Sequence, residues 1–177
     1  MRRTILNLIG VLVVGASFNF QLPAVVAQDS VFTLLTITNP TPAAGDSFGI
    51  SLAAVGNDRM VVGAIGAASA AGAAYLFRTD GTLLTTFTNP TPAAYDYFGR
   101  SVAALGNERV LIGAYLDDLG ATDAGAAYLF STNGTLLTTF TNPAPAATDC
   151  FGWSLVAVGS DRYGQCTQIA AWSLQGF

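Results

Sequence analysis

The dipeptide Phe-Gly returns at almost even spacing: Phe48-Gly49, Phe98-Gly99 and Phe151-Gly152 lie 50 and 53 residues apart. Its surroundings return as well. An acid stands two positions before each Phe (Asp46, Asp96, Asp149). A Ser and an apolar run follow: Ser51-Leu52-Ala53-Ala54-Val55, Ser101-Val102-Ala103-Ala104-Leu105 and Ser154-Leu155-Val156-Ala157-Val158. Then come Gly56-Asn57-Asp58-Arg59, Gly106-Asn107-Glu108-Arg109 and Gly159-Ser160-Asp161-Arg162. The first two units continue together, 60–64 matching 110–114 and 72–77 matching 125–130. Three extra residues around Asp117-Asp118-Leu119-Gly120 account for the longer spacing. Such a chain repeats one supersecondary unit, and each unit buries its apolar faces against its own copies.

The patterning predicts four strands per unit. The first, near 51–55, is rich in Ala and suits a place where backbones come close. The second, near 59–64, is continuously apolar, as a strand covered on both faces should be. The third, near 72–78, leads into Asp80-Gly81, repeated as Asn133-Gly134, which marks a two-residue hairpin. The fourth, near 83–88, is Thr-rich and fits an outer edge with one wet face. Asn89-Pro90-Thr91-Pro92-Ala93-Ala94 is then a link, because two prolines exclude a central strand. Residues 31–38 read as a further fourth strand with no first three before it. The fold class is therefore all-β: tandem four-stranded antiparallel blades of β-propeller type, about two and a half of them. After Arg162 the repeat stops, and Tyr163-Gly164-Gln165-Cys166-Thr167-Gln168 stands where an apolar second strand is due. The expectation is a truncated or frame-altered product, or a piece of a longer array, that self-associates to cover exposed blade faces.

Residues 1–27 read as a signal peptide. Arg2-Arg3 supplies the positive start, residues 5–14 the apolar core, and Val25-Val26-Ala27 the cleavage site before Gln28. The core is too short for a comfortable membrane span, which takes ~20 residues. Residues 28–177 form the repeat region: a stray outer strand 31–38, repeats 48–97 and 98–150, a partial repeat 151–162 and a divergent tail 163–177. The chain is thus expected to be secreted or displayed at the cell surface.

At 51% hydrophobic and 10% charged residues the chain is too apolar for a disordered polymer. After residue 27 five Arg stand against eleven acids, with no Lys, a net of −6. Without a basic cluster neither nucleic acid nor an anionic membrane surface is an expected partner. With no His, Ser-His and Cys-His catalysis and His metal sites are excluded. Ser51, Ser101 and Ser154 recur at one repeat position, which points to structure. Asp46, Asp96 and Asp149 recur likewise and are expected to bond turn amides ahead of Phe-Gly. No two acids are singled out as a hydrolytic pair. No catalytic, cofactor-binding or metal-binding residue is assigned.

Some alternatives stay open. Asp117, Asp118 and Asp123 form either a solvated loop or a weak calcium site. Tyr95, Tyr97, Tyr115 and Trp153 form either an aromatic binding surface or, since three of them flank Phe-Gly, part of the blade packing. Cys150 and Cys166 are bridged or free; Cys150 takes the place of Ser47 and Tyr97.

Phe-Gly, then a strand, then Gly63-Ala64 or Gly113-Ala114 resembles the FG-GAP repeat of the integrin α-subunit propeller and its bacterial relatives. The resemblance spans residues 31 to about 162. It implies propeller blades and, for function, binding or adhesion to a protein or glycan. Ile65 and Tyr115 stand where the family has Pro. The family's Asp-x-Asp-x-Asp-Gly calcium loop is replaced by turns such as Gly56-Asn57-Asp58-Arg59, too poor in oxygen ligands for the ion, which takes ~6–8 of them. The leading expectation is a binding or adhesion module that is not an enzyme. The alternatives are a structural surface-repeat protein or nonfunctional remnant, and an accessory domain of an extracellular enzyme.

Overall fold

The computed structural model describes residues 36–158 and 168–172. The expected signal peptide lies outside them, as do residues 31–35 of the stray strand; its remaining residues, 36–38, carry no strand. All described regular structure is β. The strands are β1 (Phe48–Val55), β2 (Arg59–Ala64), β3 (Ala73–Arg78), β4 (Leu83–Thr88), β5 (Ser101–Leu105), β6 (Arg109–Ala114), β7 (Ala126–Ser131), β8 (Leu136–Thr141), β9 (Ser154–Val158) and β10 (Gln168–Trp172). They form two four-stranded antiparallel meanders, β1-β2-β3-β4 and β5-β6-β7-β8, and a two-stranded sheet of β9 and β10. These are propeller-type blades, with the predicted four strands per complete unit.

The third unit departs from expectation. Gln168–Trp172 pairs antiparallel with β9, from Gln168 opposite Val158 to Trp172 opposite Ser154. A second strand is therefore present, six residues later along the chain than the repeat would place it. The strand carries Ile169-Ala170-Ala171, a short apolar run, whereas the segment before it in the sequence is polar.

Alternation along the strands sends side chains to two opposite blade faces. In β2 and β3, Val61 and Leu76 face the second blade, while Val62, Tyr75 and Phe77 join a cluster with Phe48 and Ile37. In β6 and β7, Val110, Ile112, Tyr128 and Phe130 face the first blade, and Leu111, Ala127 and Leu129 pack with Phe151 and Leu155 of the third unit. Val110, Leu111 and Ile112 are all fully buried, which is why the sequence of this strand is apolar without alternation. Between the blades, Phe87 of β4 meets Phe130 with ring centroids 5.3 Å apart, and Phe98 meets Phe130 edge-on at 6.0 Å.

The innermost strands lie side by side, β1 against β5 and β5 against β9. Here the repeated Ser finds its use: Ser51 Oγ donates to the Gly99 carbonyl at 2.7 Å and Ser101 Oγ to the Gly152 carbonyl at 2.6 Å. Gly63 and Gly113 admit this approach. A Cβ at Gly63 would collide with the Gly99 carbonyl and Ser51 Oγ, and one at Gly113 with Gly152 and Ser101 Oγ.

The hairpins differ from the predicted two-residue form. Gly81 N–H bonds Arg78 O and Arg78 N–H bonds Thr82 O, with a positive φ at Gly81 but not at Asp80. That is a type I turn followed by a left-handed Gly, a three-residue loop with a bulge. The same bonds recur at Ser131, Gly134 and Thr135. Asp80 and Asn133 instead cap the turn, accepting the N–H of Thr82 and Thr135.

Candidate functional site

The loops that precede Phe-Gly and those that join strands two and three meet at one end of the blades. Tyr97 and Phe98 donate their N–H groups to Ala70 and Ala71, and Cys150 and Phe151 theirs to Asp123 and Ala124. The second and third Phe-Gly segments are thus each stitched to the strand-two-to-three loop of the unit before.

Beneath this end lies a repeated polar clasp. Asp46 Oδ2 accepts the Ala43 N–H at 2.8 Å and the Asn39 amide at 2.6 Å. Asp96 does the same with Ala93 at 2.7 Å and Asn89 at 2.7 Å, and Asp149 with Ala146 at 2.8 Å and Asn142 at 2.6 Å. The acids bond amides ahead of Phe-Gly, as their recurrence suggested. The Asn partners were not singled out from the sequence, although each sits seven residues before its Asp. Each Asn also accepts the N–H two residues on, at Thr41, Thr91 or Ala144, which bends the Pro-rich link.

The second blade adds an acid to its clasp. Asp117 is 2% exposed, and its Oδ2 accepts the Tyr128 hydroxyl at 2.6 Å and Thr91 Oγ1 at 3.1 Å. Its Oδ1 accepts the Leu119 N–H at 3.0 Å. Burial, together with the nearby charges of Asp117, Asp118 and Asp123, raises the Asp96 carboxyl to about 6, against the lowering effect of the Ala93 bond. Burial and the bond to Asp117 push the Tyr128 hydroxyl above its ordinary range. The three acids of the insertion do not converge: Asp117 turns inward, while Asp118 is exposed and accepts the Asp123 N–H. Among the described residues no three acids or cysteines are grouped so as to hold a metal ion. Cys150 is a free thiol, raised by burial and by Asp123 and Asp149, and Cys166 lies outside the described residues.

Above the clasp the four aromatic residues come together. Tyr97 stacks on Tyr115 with centroids 5.6 Å apart and planes at 11°. Tyr95 meets Tyr97 edge-on at 6.2 Å, and Tyr115 meets Trp153 edge-on at 4.5 Å. The Arg100 guanidinium lies 4.6 Å from the Trp153 ring centre. The row is not blade packing: Tyr95 is 64% exposed, and the other three are half-buried against one another on the loops. Tyr95, Tyr97 and Tyr115 border an open cavity of about 610 Å³, whose other side is Ser47, Ile65 and Ser69 of the first unit.

Residues 36–77 and 85–130 each match the FG-GAP repeat. This chain is an FG-GAP repeat protein. The two matches cover the Phe-Gly turns and the first three strands of both complete blades, and the match to the second begins in its predecessor's outer strand. No curated protein matches the chain.

Proposed function

We propose that this FG-GAP repeat chain is an exported or surface-displayed binding or adhesion module with no catalytic activity of its own. One observation carries the proposal. Among the described residues, the repeated polar side chains are spent on holding blades, whereas the aromatic side chains that break the repeat stand open at one loop end. Protein or glycan is the class of partner; nucleic acid and membrane insertion are not, given the acidic balance of the chain. Export rests on the leader, and N-terminal sequencing should begin at Gln28.

Self-association belongs to the same proposal. Both internal junctions seat a Ser hydroxyl and an apolar strand face on the next unit. On β1 the corresponding outward side is open: Leu52 is 64% and Ile50 44% exposed, and among the described residues a Cβ at Gly49 would meet nothing within 4 Å. Another copy extends the same junction there. Light scattering on the mature chain should give oligomers, and a monodisperse monomer would refute this part. For the module itself, the immobilised mature chain is exposed to arrayed glycans and extracellular proteins. Saturable retention without turnover is expected; turnover of a probe, or no retention at all, overturns it.

A further inference from the structure

We propose that Tyr95, Tyr97 and Tyr115, with the cavity they border and with Trp153 packed edge-on behind Tyr115, form a binding site for neutral carbohydrate. This rests on the binding-module reading above and names its ligand class.

The backbone supplies the first reason. The positions before each Phe are left-handed in all three units: Gly45 and Ser47, Tyr95 and Tyr97, Thr148 and Cys150. Glycine or a small residue suits this conformation, and a bulky residue is strained in it. Only the second unit carries tyrosines there, at φ 73° and 54°. Folding does not need the rings, since Gly45 and Ser47 serve the same turn in the first unit and Tyr95 is mostly exposed. Tyr95 retains that strain with only an edge contact to Tyr97 in return, which points to function.

The chemistry of the surface supplies the second. The rings fix one another edge-on and by stacking, so they form a rigid platform that loses little freedom on binding. Among the described residues no charged side chain lines the cavity; Ser47 and Ser69 offer hydroxyls across from the tyrosines. A sugar ring has an apolar C–H face and a rim of uncharged hydroxyls, which match an aromatic wall opposite hydroxyls and peptide groups. The aromatics line one side only, whereas an organic cation is held best when rings surround it.

The test titrates the full mature chain with cellotriose, chitotriose, mannotriose and maltotriose, by calorimetry and by Trp fluorescence. At least one should bind saturably and perturb the emission. Tyr97→Ala and Trp153→Ala should each weaken that binding about tenfold or more, roughly 1.4 kcal/mol. Tyr97→Phe, which keeps the ring, should stay within about twofold of the parent. Tyr97→Gly relieves the left-handed backbone and guards against misfolding: it should fold and yet not bind. Failure of all four sugars, or binding indifferent to both Ala variants, overturns the proposal. Binding of tetramethylammonium or a proline decapeptide with the same sensitivities, and of no sugar, also overturns it while leaving the module reading intact. An absence of retention on the whole glycan and protein array, or turnover of a probe, removes that reading as well.

Discussion

The first and second blades share a scaffold and differ at one end. Their strands have the same lengths from the second strand on, the same Ser-to-Gly contact and the same Asn-Asp clasp. At the loops, however, Gly45, Ser47, Ile50, Ile65 and Ala67 of the first blade are replaced by Tyr95, Tyr97, Arg100, Tyr115 and Asp117 of the second. Four of these changes build the aromatic row and the cation over it. The fifth places a carboxylate beneath them, buried against Tyr128 and Thr91. The comparison teaches where a repeat protein keeps its individuality. Positions that neighbouring units must share are held to one solution, and positions at the loop end, the buried Asp117 among them, are free to differ.

The largest effect tests the shared part. Gly63→Ala and Gly113→Ala should each destabilise by about 3 kcal/mol or prevent folding, because the added Cβ meets a backbone carbonyl that cannot yield. The two variants should behave alike in denaturant titrations. If one were tolerated, the two junctions would not be equivalent, and the picture of one contact used twice would fail.

Asp117 tests the differing part. In the first blade Ala67 holds this place, and among the described residues Tyr75 bonds Thr41, at 3.3 Å. Asp117→Ala would reproduce that state, but in a loop three residues longer whose Leu119 N–H relies on the carboxylate. A loss of about 2 kcal/mol is expected. The change also alters pH dependence. The Asp96 carboxyl is raised, so its protonation adds stability that is complete below about 4 and is lost as pH rises through about 6. Removing the Asp117 charge lessens that rise, so the decline in stability between pH 4 and 6 should be shallower in the variant. Chemical melts at several pH values check both effects. A neutral Asp117→Ala would mean that the first blade's arrangement suffices for the second.

The shared part was legible in the sequence because it is written more than once. β2 and β4 occur where the patterning predicts them, and Ser51 and Asp46 have the structural roles that their recurrence implied. What was not legible occurs once. Asp117 appeared as one of three acids in a polar insertion, and nothing in sequence order shows that it turns inward while Asp118 turns out. Tyr97 and Tyr115 are 18 residues apart and stack only because the link before Phe98 and the end of β6 are brought together. The strand Gln168–Trp172 was missed because a longer intervening segment moves it out of the repeat's phase. The hairpins were misjudged by one residue, since Asp-Gly serves both a two-residue turn and a type I turn with a bulge.

Moving an aromatic residue back into the first blade isolates the backbone contribution. Gly45 has a φ of 87°, and a Cβ built there meets nothing within 4 Å. Gly45→Tyr should therefore destabilise by about 1–2 kcal/mol through the left-handed backbone alone. A larger loss would indicate a clash, and none at all would remove the argument that Tyr95 and Tyr97 are held under strain.

Calcium should have the smallest effect, and the two blades show why. Their strand-one-to-two turns carry one acid each, Asp58 and Glu108, and both lie near Arg59, at 3.5 Å and 3.7 Å. The second blade alone has the insertion, yet Asp117 already has Tyr128, Thr91 and Leu119 as partners, and Asp118 accepts from the Asp123 backbone. An ion that takes six to eight oxygens would have to break these bonds and reverse the buried side chain. Stabilisation by a bound ligand follows from its affinity for the folded state alone, so a site this poor adds less than about 1 kcal/mol at millimolar calcium. Thermal unfolding in chelator and in calcium should nearly coincide. A marked rise in melting temperature that Asp118→Asn abolishes would show that the insertion rearranges around the ion, and that the second blade differs from the first by a metal site as well as by its aromatic row.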